Sequence, residues 1–299
     1  MPDPPGLDFD AIAARAGHGP IAIEEARTLW RSADLVAIGM LAEEARRRRH
    51  GDRVTFVRVA EVPLAQAEVA PLPPSAGEIR LTGAPVSAEA AVEVARRLVA
   101  RAGCVPVSAF ALDDLVTLAG RGEDLARLLG QLLEAGVSSL DEVRVDALGA
   151  DRSPLDQLRV AGLPVARWTV RQIPEGDAPA LLAGVRAVQK HAGLVRCFAP
   201  LPRRRDDATP STGYHDAKLV ALARLVLDNV ASIQVDWSIA GTKPGQLALL
   251  FGADDLDGVS AEEDTGTGTR RSPLAEIRRN IQAAALAPVE RDGRFAVRE

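Results

Sequence analysis

The sequence predicts an α/β fold, a partial or complete (β/α) barrel with helices before it and a helical extension after it. Three observations carry this expectation. Segments rich in β-branched residues recur along the chain, and stretches with helical periodicity separate them at intervals of roughly 25 to 30 residues. Polar side chains then gather after the last predicted strand, at the end where a barrel binds its ligands. A flat doubly wound sheet is the alternative, but the glycine-rich fingerprint it normally carries after its first strand is absent.

The elements follow in order. Residues 1–52 form an N-terminal helical segment in which Ile21 to Trp30 and Ala33 to His50 read as helices, the second with an apolar face of Leu35, Ile38, Leu41 and Ala42. Arg46 to Arg49 lie at its C-terminal end, where the helix dipole favours cations. That run reads as a solvated helix end, with an anion-binding patch as the alternative. The barrel is expected over 53–240. Arg53 to Val62 alternates as a first strand, Glu78 to Thr82 is a second, and Ser87 caps a helix running to Arg101. Val105 to Phe110 is the third strand, followed by helices Leu112 to Ala119 and Glu123 to Ala135. Val143 to Ala147, Pro164 to Val170 and Leu194 to Ala199 read as the fourth to sixth strands, with a helix from Ala178 to His191 before the sixth.

Lys218 to Asp264 combines several signals. Leu219, Leu222, Ala223 and Val226 recur at helical spacing, and Asp228 and Asn229 stop the helix. Ile233, Val235 and Trp237 then alternate with polar residues as a seventh strand. A turn at Gly241 to Gly245 leads to a short helix from Gln246 to Phe251, and an acidic loop holding Asp254, Asp255, Asp257, Glu262 and Glu263 follows. The part 241–299 is read as an extension packing on the barrel, within one structural domain.

Composition narrows the function. Aromatic residues are 3% of the chain, so its core is aliphatic, and a net charge of −5 from 36 basic and 41 acidic residues argues against nucleic-acid binding. No run of 18 apolar residues and no basic-then-apolar leader occurs, which predicts a soluble cytoplasmic protein without a membrane partner. Cys104 and Cys197 are far apart and are expected to be buried packing residues. The four histidines never approach paired metal spacing, so no catalytic metal is predicted.

The segments ARLVLDN (223–229), QLALLFGADDLDG (246–258) with strand-end Trp237 before it, the pair Glu262-Glu263, and IQAAALAPVERD (281–292) together resemble the C-terminal part of one radical SAM group. That group contains aminofutalosine synthase, dehypoxanthine futalosine cyclase and the FO synthase subunit, and the chain looks closest to the first. The resemblance implies a TIM-like barrel of radical SAM type preceded by two helices. It also implies a CxxxCxxC loop after the first strand, whose thiolates hold a 4Fe-4S cluster that binds S-adenosylmethionine. Here the loop reads Pro63 to Ser75 with no Cys and no His, and iron–sulfur ligation needs soft thiolates close together. Where the group has a glycine-rich wall of the S-adenosylmethionine pocket, this chain has Ser138 to Asp146. Both cofactors are therefore expected to be absent, and radical chemistry with them.

The site candidates cluster near the seventh strand. Asp236 and Glu262 are candidate acid/base residues, and Trp237, Lys243, Gln246 and Glu263 are candidate ligand contacts. The alternative is that Trp237 is core, Lys243 is solvated and the acids are surface, with Glu262 pairing an arginine such as Arg270. The sequence thus leads to a barrel that binds a small nucleoside-like ligand, or partners a radical SAM protein of menaquinone (futalosine pathway) biosynthesis. An enzyme with non-radical acid/base chemistry in the inherited pocket is the alternative.

Overall fold

The computed structural model describes residues 9–174, 176–193, 195–203, 213–262 and 273–298. Three helices come first: α1 (Phe9–Ala16), α2 (Ile23–Arg31) and α3 (Leu35–His50). Asp34 caps α3, its Oδ1 accepting from Ala37 N at 2.9 Å. The strand–helix succession then runs β1 (Arg53–Pro63), β2 (Glu78–Thr82), α4 (Ala88–Ala102), β3 (Val107–Ala111), α5 (Leu112–Ala119), α6 (Glu123–Glu134), β4 (Ser139–Arg144), α7 (Ser153–Ala161), β5 (Val165–Thr169), α8 (Ala178–Ala192) and β6 (Cys197–Phe198). It continues through α9 (Gly213–Val226), β7 (Ser232–Asp236), α10 (Trp237–Ala240), α11 (Thr242–Leu250), β8 (Asp255–Ser260), α12 (Pro273–Ala283) and β9 (Ala287–Arg291).

Strands β1 to β8 pair in sequence order, all parallel, and β1 closes the barrel by pairing with both β2 and β8. The long β1 reaches a further partner. Val59 to Pro63 pair with β2, while Arg53 to Val57 pair with β9, so β9 continues the line of β2 below it. Gly293 N donates to Gly77 O at 2.9 Å across that junction. An alanine Cβ at Gly77 would sit 2.9 Å from Arg291 O, so the approach requires glycine.

The hydrophobic core lies between the barrel's outer face and the helices. It is built from small and branched aliphatics such as Leu98, Leu128, Leu140, Leu182, Leu222 and Ile233, all buried. Among the described residues no helix is long and apolar enough to cross a membrane.

The seventh strand stops at Asp236, the expected turn at Gly241 to Gly245 is mostly the first part of α11, and two further strands differ from the sequence expectation for one reason. The fourth strand is Ser139–Arg144 instead of Val143 to Ala147, and the acidic loop around Asp255 and Asp257 is β8, which closes the barrel. The barrel therefore extends past residue 240, and the extension is not purely helical because it supplies β8 and β9. In both strands the inward positions carry charges, which depress a strand signal based on apolar alternation. Helix α7 had no counterpart in the prediction.

β8 carries an irregularity next to its buried acids. Phe56 pairs with Leu256 but Arg58 with Val259, so Asp257 and Gly258 together oppose the single residue Val57. Gly258 has φ +68°, and a Cβ there would lie 2.5 Å from Asp236 Oδ1. Gly258→Ala should destabilise the protein by about 1 to 3 kcal/mol through the left-handed backbone alone, and by more from the clash. Gly184→Ala in α8, where nothing approaches, should instead stabilise by about 0.5 to 1 kcal/mol. Urea unfolding of both variants reads the contrast.

Candidate functional site

Many inward side chains of the strands, among them Glu78, Arg80, Arg167, Gln234, Asp255 and Asp257, are charged or polar where a barrel of this type ordinarily holds branched aliphatics. They form two levels. In the lower one, Asp255 accepts from Arg291 Nε and Nη2 at 2.6 Å each, from Gln234 Nε2 at 2.6 Å and from Thr55 Oγ1 at 2.5 Å. The Phe295 ring packs 3.8 Å from the Arg291 guanidinium on its other side. β9 thus delivers a cation to the closed end of the barrel.

The upper level centres on Asp257, which is fully buried. Arg80 Nη2 lies 2.8 Å from its Oδ1, and Arg167 Nη1 and Arg203 Nη1 lie 3.0 Å from its Oδ2. Asp141 bridges the same pair, with Arg80 Nε at 3.0 Å and Arg167 Nη1 at 2.9 Å. Glu78 meets Arg80 Nη2 at 3.0 Å and Arg167 Nη2 at 3.3 Å, and accepts from Ser108 Oγ at 2.5 Å. Burial opposes the charged form of Asp257, but Arg167, Arg80 and Arg203 outweigh it and hold the carboxyl well below the usual carboxylate range. The same contest, won by Arg167 and Arg80, lowers Asp141. Burial also disfavours charge on Arg80, and its three acids reverse this, keeping it firmly protonated.

Above this floor opens a cavity of about 800 Å³ at the C-terminal ends of the strands. Arg80 and Asp141 line its bottom, and Glu142, Arg144, Arg203 and Asp236 contribute to its walls. Arg144 is held by Glu142 Oε1 at 2.6 Å and Asp113 Oδ2 at 2.8 Å. Phe110 also lines it, and takes φ +62° at the end of β3. Left-handed backbone at a non-glycine residue is characteristic of site-forming loops. Two buried atoms on cavity residues lack a hydrogen-bond partner: Arg80 Nη1 and Asp236 Oδ2. Glu61 approaches Arg80 Nη1 only to 3.7 Å, and Arg203 Nη2 stands 3.3 Å from Asp236 Oδ2. Both residues line the cavity, and these are the atoms at which their hydrogen bonding is incomplete.

The structure separates the residues that the sequence grouped. Asp236 lines the cavity, and its Oδ1 caps α10 by accepting from Ser238 N at 3.0 Å and Ser238 Oγ at 2.6 Å. Trp237 does not line it, because the chain turns into α10 at that residue and the indole packs against Gly245, where a Cβ would sit 2.7 Å from the ring. Lys243 is exposed on α11 and Gln246 is half-buried on the same helix, both outside the cavity lining. Glu262 is exposed after β8, its N–H donating to Ser260 Oγ at 3.1 Å. Glu263, and Arg270 with it, lies outside the described residues. Sequence reasoning missed Arg80, Asp141, Arg144, Arg167 and Arg203. The available signal was the acid or arginine at every second position of Glu78 to Arg80 and Asp255 to Asp257.

The β1–β2 connection, where the sequence resemblance puts an iron–sulfur cluster, folds against the outside of the barrel. Arg101 of α4 donates to the Ala67 and Ala70 carbonyls, the second at 2.6 Å, and Arg97 pairs with Glu68. Ser75 Oγ donates to Ala261 O at 2.5 Å. No thiol stands in this loop. Cys104 is exposed after α4, not buried as the sequence suggested, and Cys197 is sealed in β6 with its Sγ donating to Ala166 O at 3.2 Å. Burial pushes the Cys197 thiol far up, away from the thiolate form that iron binding needs. These donors do not fit a three-thiolate cluster.

Residues 200–299 match the CofH/MqnC C-terminal region. The chain is 36% identical over 115 residues to cyclic dehypoxanthine futalosine synthase of Streptomyces coelicolor, covering 36% of this chain and 29% of that protein. It is 36% identical over 137 residues to aminodeoxyfutalosine synthase of the same organism, covering 38% and 35%. The aligned parts thus span about a third of the length of these relatives. In fold, it superposes on methylornithine synthase (PylB) with TM-score 0.64 at 13% identity, over 93% of this chain and 97% of that one.

Asp257→Asn strips a buried acceptor from three guanidinium groups and should cost about 3 to 5 kcal/mol. Asp257 and Asp141 titrate lower folded than unfolded, so the folded state binds fewer protons in mild acid. Their stabilisation is complete above the unfolded value of about 3.9 and is lost as pH falls through the folded values. Denaturant unfolding between pH 7 and pH 3 should show this acid limb, and Asp257→Asn should flatten it.

Proposed function

We propose that this relative of the radical SAM group of cyclic dehypoxanthine futalosine and aminodeoxyfutalosine synthases binds a small polar ligand at the barrel mouth and does no radical chemistry. The observation that carries the reading is the pairing of two features. The C-terminal face keeps a cavity floored by Arg80 and Asp141 and walled by Arg203 and Asp236, while the loop that should supply thiolates has none and is tied to α4. A ligand that donates to Asp236 Oδ2 and accepts from Arg80 Nη1 completes the buried hydrogen bonding, which is costly to leave unmade. A ribosyl nucleoside of the futalosine type carries hydroxyls and ring acceptors of that kind. The protein then acts beside a radical SAM enzyme of menaquinone biosynthesis, holding an intermediate or docking onto its partner.

One observation favours the enzymatic alternative: Asp236 Oδ2 is buried, lines the cavity and has no hydrogen-bond partner. A carboxylate so placed is within reach of a bound substrate proton.

Thermal unfolding with futalosine tests the first reading. At a hundredfold excess over Kd, ligand binding stabilises by about 2.7 kcal/mol, so the melting temperature should rise, and Arg203→Ala should abolish most of the rise. Product analysis after incubation separates binding from turnover. Conversion that disappears in Asp236→Asn while the melting shift persists supports the enzyme. Anaerobic treatment with iron and sulfide should leave the protein colourless, and a brown chromophore responsive to S-adenosylmethionine would sink the non-radical reading.

A further inference from the structure

A second cavity, of about 270 Å³, lies on the side where β1 and β7 begin, between the last turn of α3, the turn after α1 and the C-terminal part of α9. Its charged lining consists of Arg48, Arg49 and Arg224, with His18 beside them, and no carboxylate lines it among the described residues. The arginines are held in place by backbone carbonyls. Arg48 Nη2 donates to Ala16 O at 2.6 Å and Arg49 Nη1 to Leu227 O at 2.9 Å, each bond reaching across to another segment. Arg224 Nε donates to Gly252 O at 2.8 Å from within the buried face of α9.

Carboxylates outside the cavity offset only part of this charge. Glu44 pairs with Arg48 at 3.1 Å. Asp254 pairs with Arg224 and is shared with His50 at 3.5 Å and with Ile233 N at 2.8 Å. Arg49 has no carboxylate within ion-pair distance among the described residues. The helix dipole explains a basic run at the end of α3. It does not explain why two of these side chains turn back onto a third, buried arginine across a cavity free of acids.

We propose that this cavity binds a small phosphate-class oxyanion, either free phosphate or the phosphomonoester of a small metabolite. Arg48 and Arg49 present their remaining N–H groups to its oxygens, as guanidinium forks do for phosphate, and Arg224 adds positive potential from behind. The field around Arg224 agrees with this. Burial lowers its pKa, and Arg49 and Arg46 add to the fall despite Asp254, so an anion entering the cavity relieves repulsion already present.

The test is isothermal titration of the full chain with inorganic phosphate and, separately, with glycerol phosphate, at constant ionic strength set by chloride. Saturable one-site binding is expected. Arg48→Gln and Arg49→Gln should each weaken it at least tenfold, about 1.4 kcal/mol, with cooperative melting curves retained. Should Arg49→Gln lose its fold with the Leu227 contact, Arg48→Gln, which sits on the exposed side of α3, carries the test alone. Arg171 lines the mouth cavity, and Arg171→Gln should leave the affinity unchanged. Tighter binding of glycerol phosphate assigns a phosphomonoester, and tighter binding of inorganic phosphate assigns the free ion. The proposal is overturned by unsaturable binding in the wild type, by equal affinity in Arg48→Gln, or by loss in Arg171→Gln, which puts the anion at the mouth.

Discussion

The contact on which this barrel depends is the convergence of Arg80, Arg167 and Arg203 on the buried carboxylate of Asp257. The three arginines come from β2, β5 and the segment after β6, and the acid from β8, so the pairing ties together strands across the barrel. Replacing such ions by aliphatics of similar volume is often neutral or favourable, so the network adds little stability over an ordinary apolar interior. Its effect is on completeness. Once three guanidinium groups are committed to a dry interior, each acid that balances them becomes indispensable, and β8 must arrive with Asp257 pointing inward. The bulge at Gly258 accomplishes that, with Asp236 Oδ1 lying where a side chain on Gly258 would be.

The lower level follows the same logic with a different donor. Among the described residues Asp255 has a single cationic partner, Arg291, and Arg291 belongs to β9, which pairs with the first half of β1 and not with a barrel neighbour in sequence order. Segment 287–291 is thus more than a trailing strand. It supplies the counter-charge that lets β8 carry an acid at its first position, and Phe295 covers it from behind. Both levels form a stiff, already neutralised floor under the mouth cavity. A floor of this kind does not attract a ligand by bulk charge, since its acids and arginines are paired. It selects by the placement of the few atoms left over.

Much of the fold was legible because its outer face is ordinary. Strand Glu78–Thr82 and helix Leu112–Ala119 were read to the residue, since their outward or buried faces are aliphatic and Gly83 and Gly120 punctuate their ends. Legibility failed where the inside of the barrel shows through. Asp141, Asp255 and Asp257 sit at inward positions, and a pattern rule that equates inside with apolar reads their strands as loops. The site suffered from the same rule. Alternation placed Trp237 at the end of a strand facing a ligand, but the Asp236 side chain caps a helix there and turns the indole toward Gly245. Asp236 was singled out because polar residues gather at the end of its strand and in the loops after it. The arginines that surround it were not, because arginine is ordinarily a surface residue and their partners lie far away in sequence.

The interior also bears on the cofactor site that the sequence resemblance implies. A radical cofactor site needs thiolates over the mouth and open backbone where the cofactor lies. Here the β1–β2 loop is bound to α4 by Arg101 and Arg97. Strand β4 contributes Asp141 to the floor and Glu142 and Arg144 to the cavity. These features are coupled, since Asp141 is balanced by Arg80 and Arg167, and a glycine at position 141 would leave both guanidinium groups short of an acid. Cysteines placed in the loop would therefore stand over a barrel floor built around its own set of paired charges.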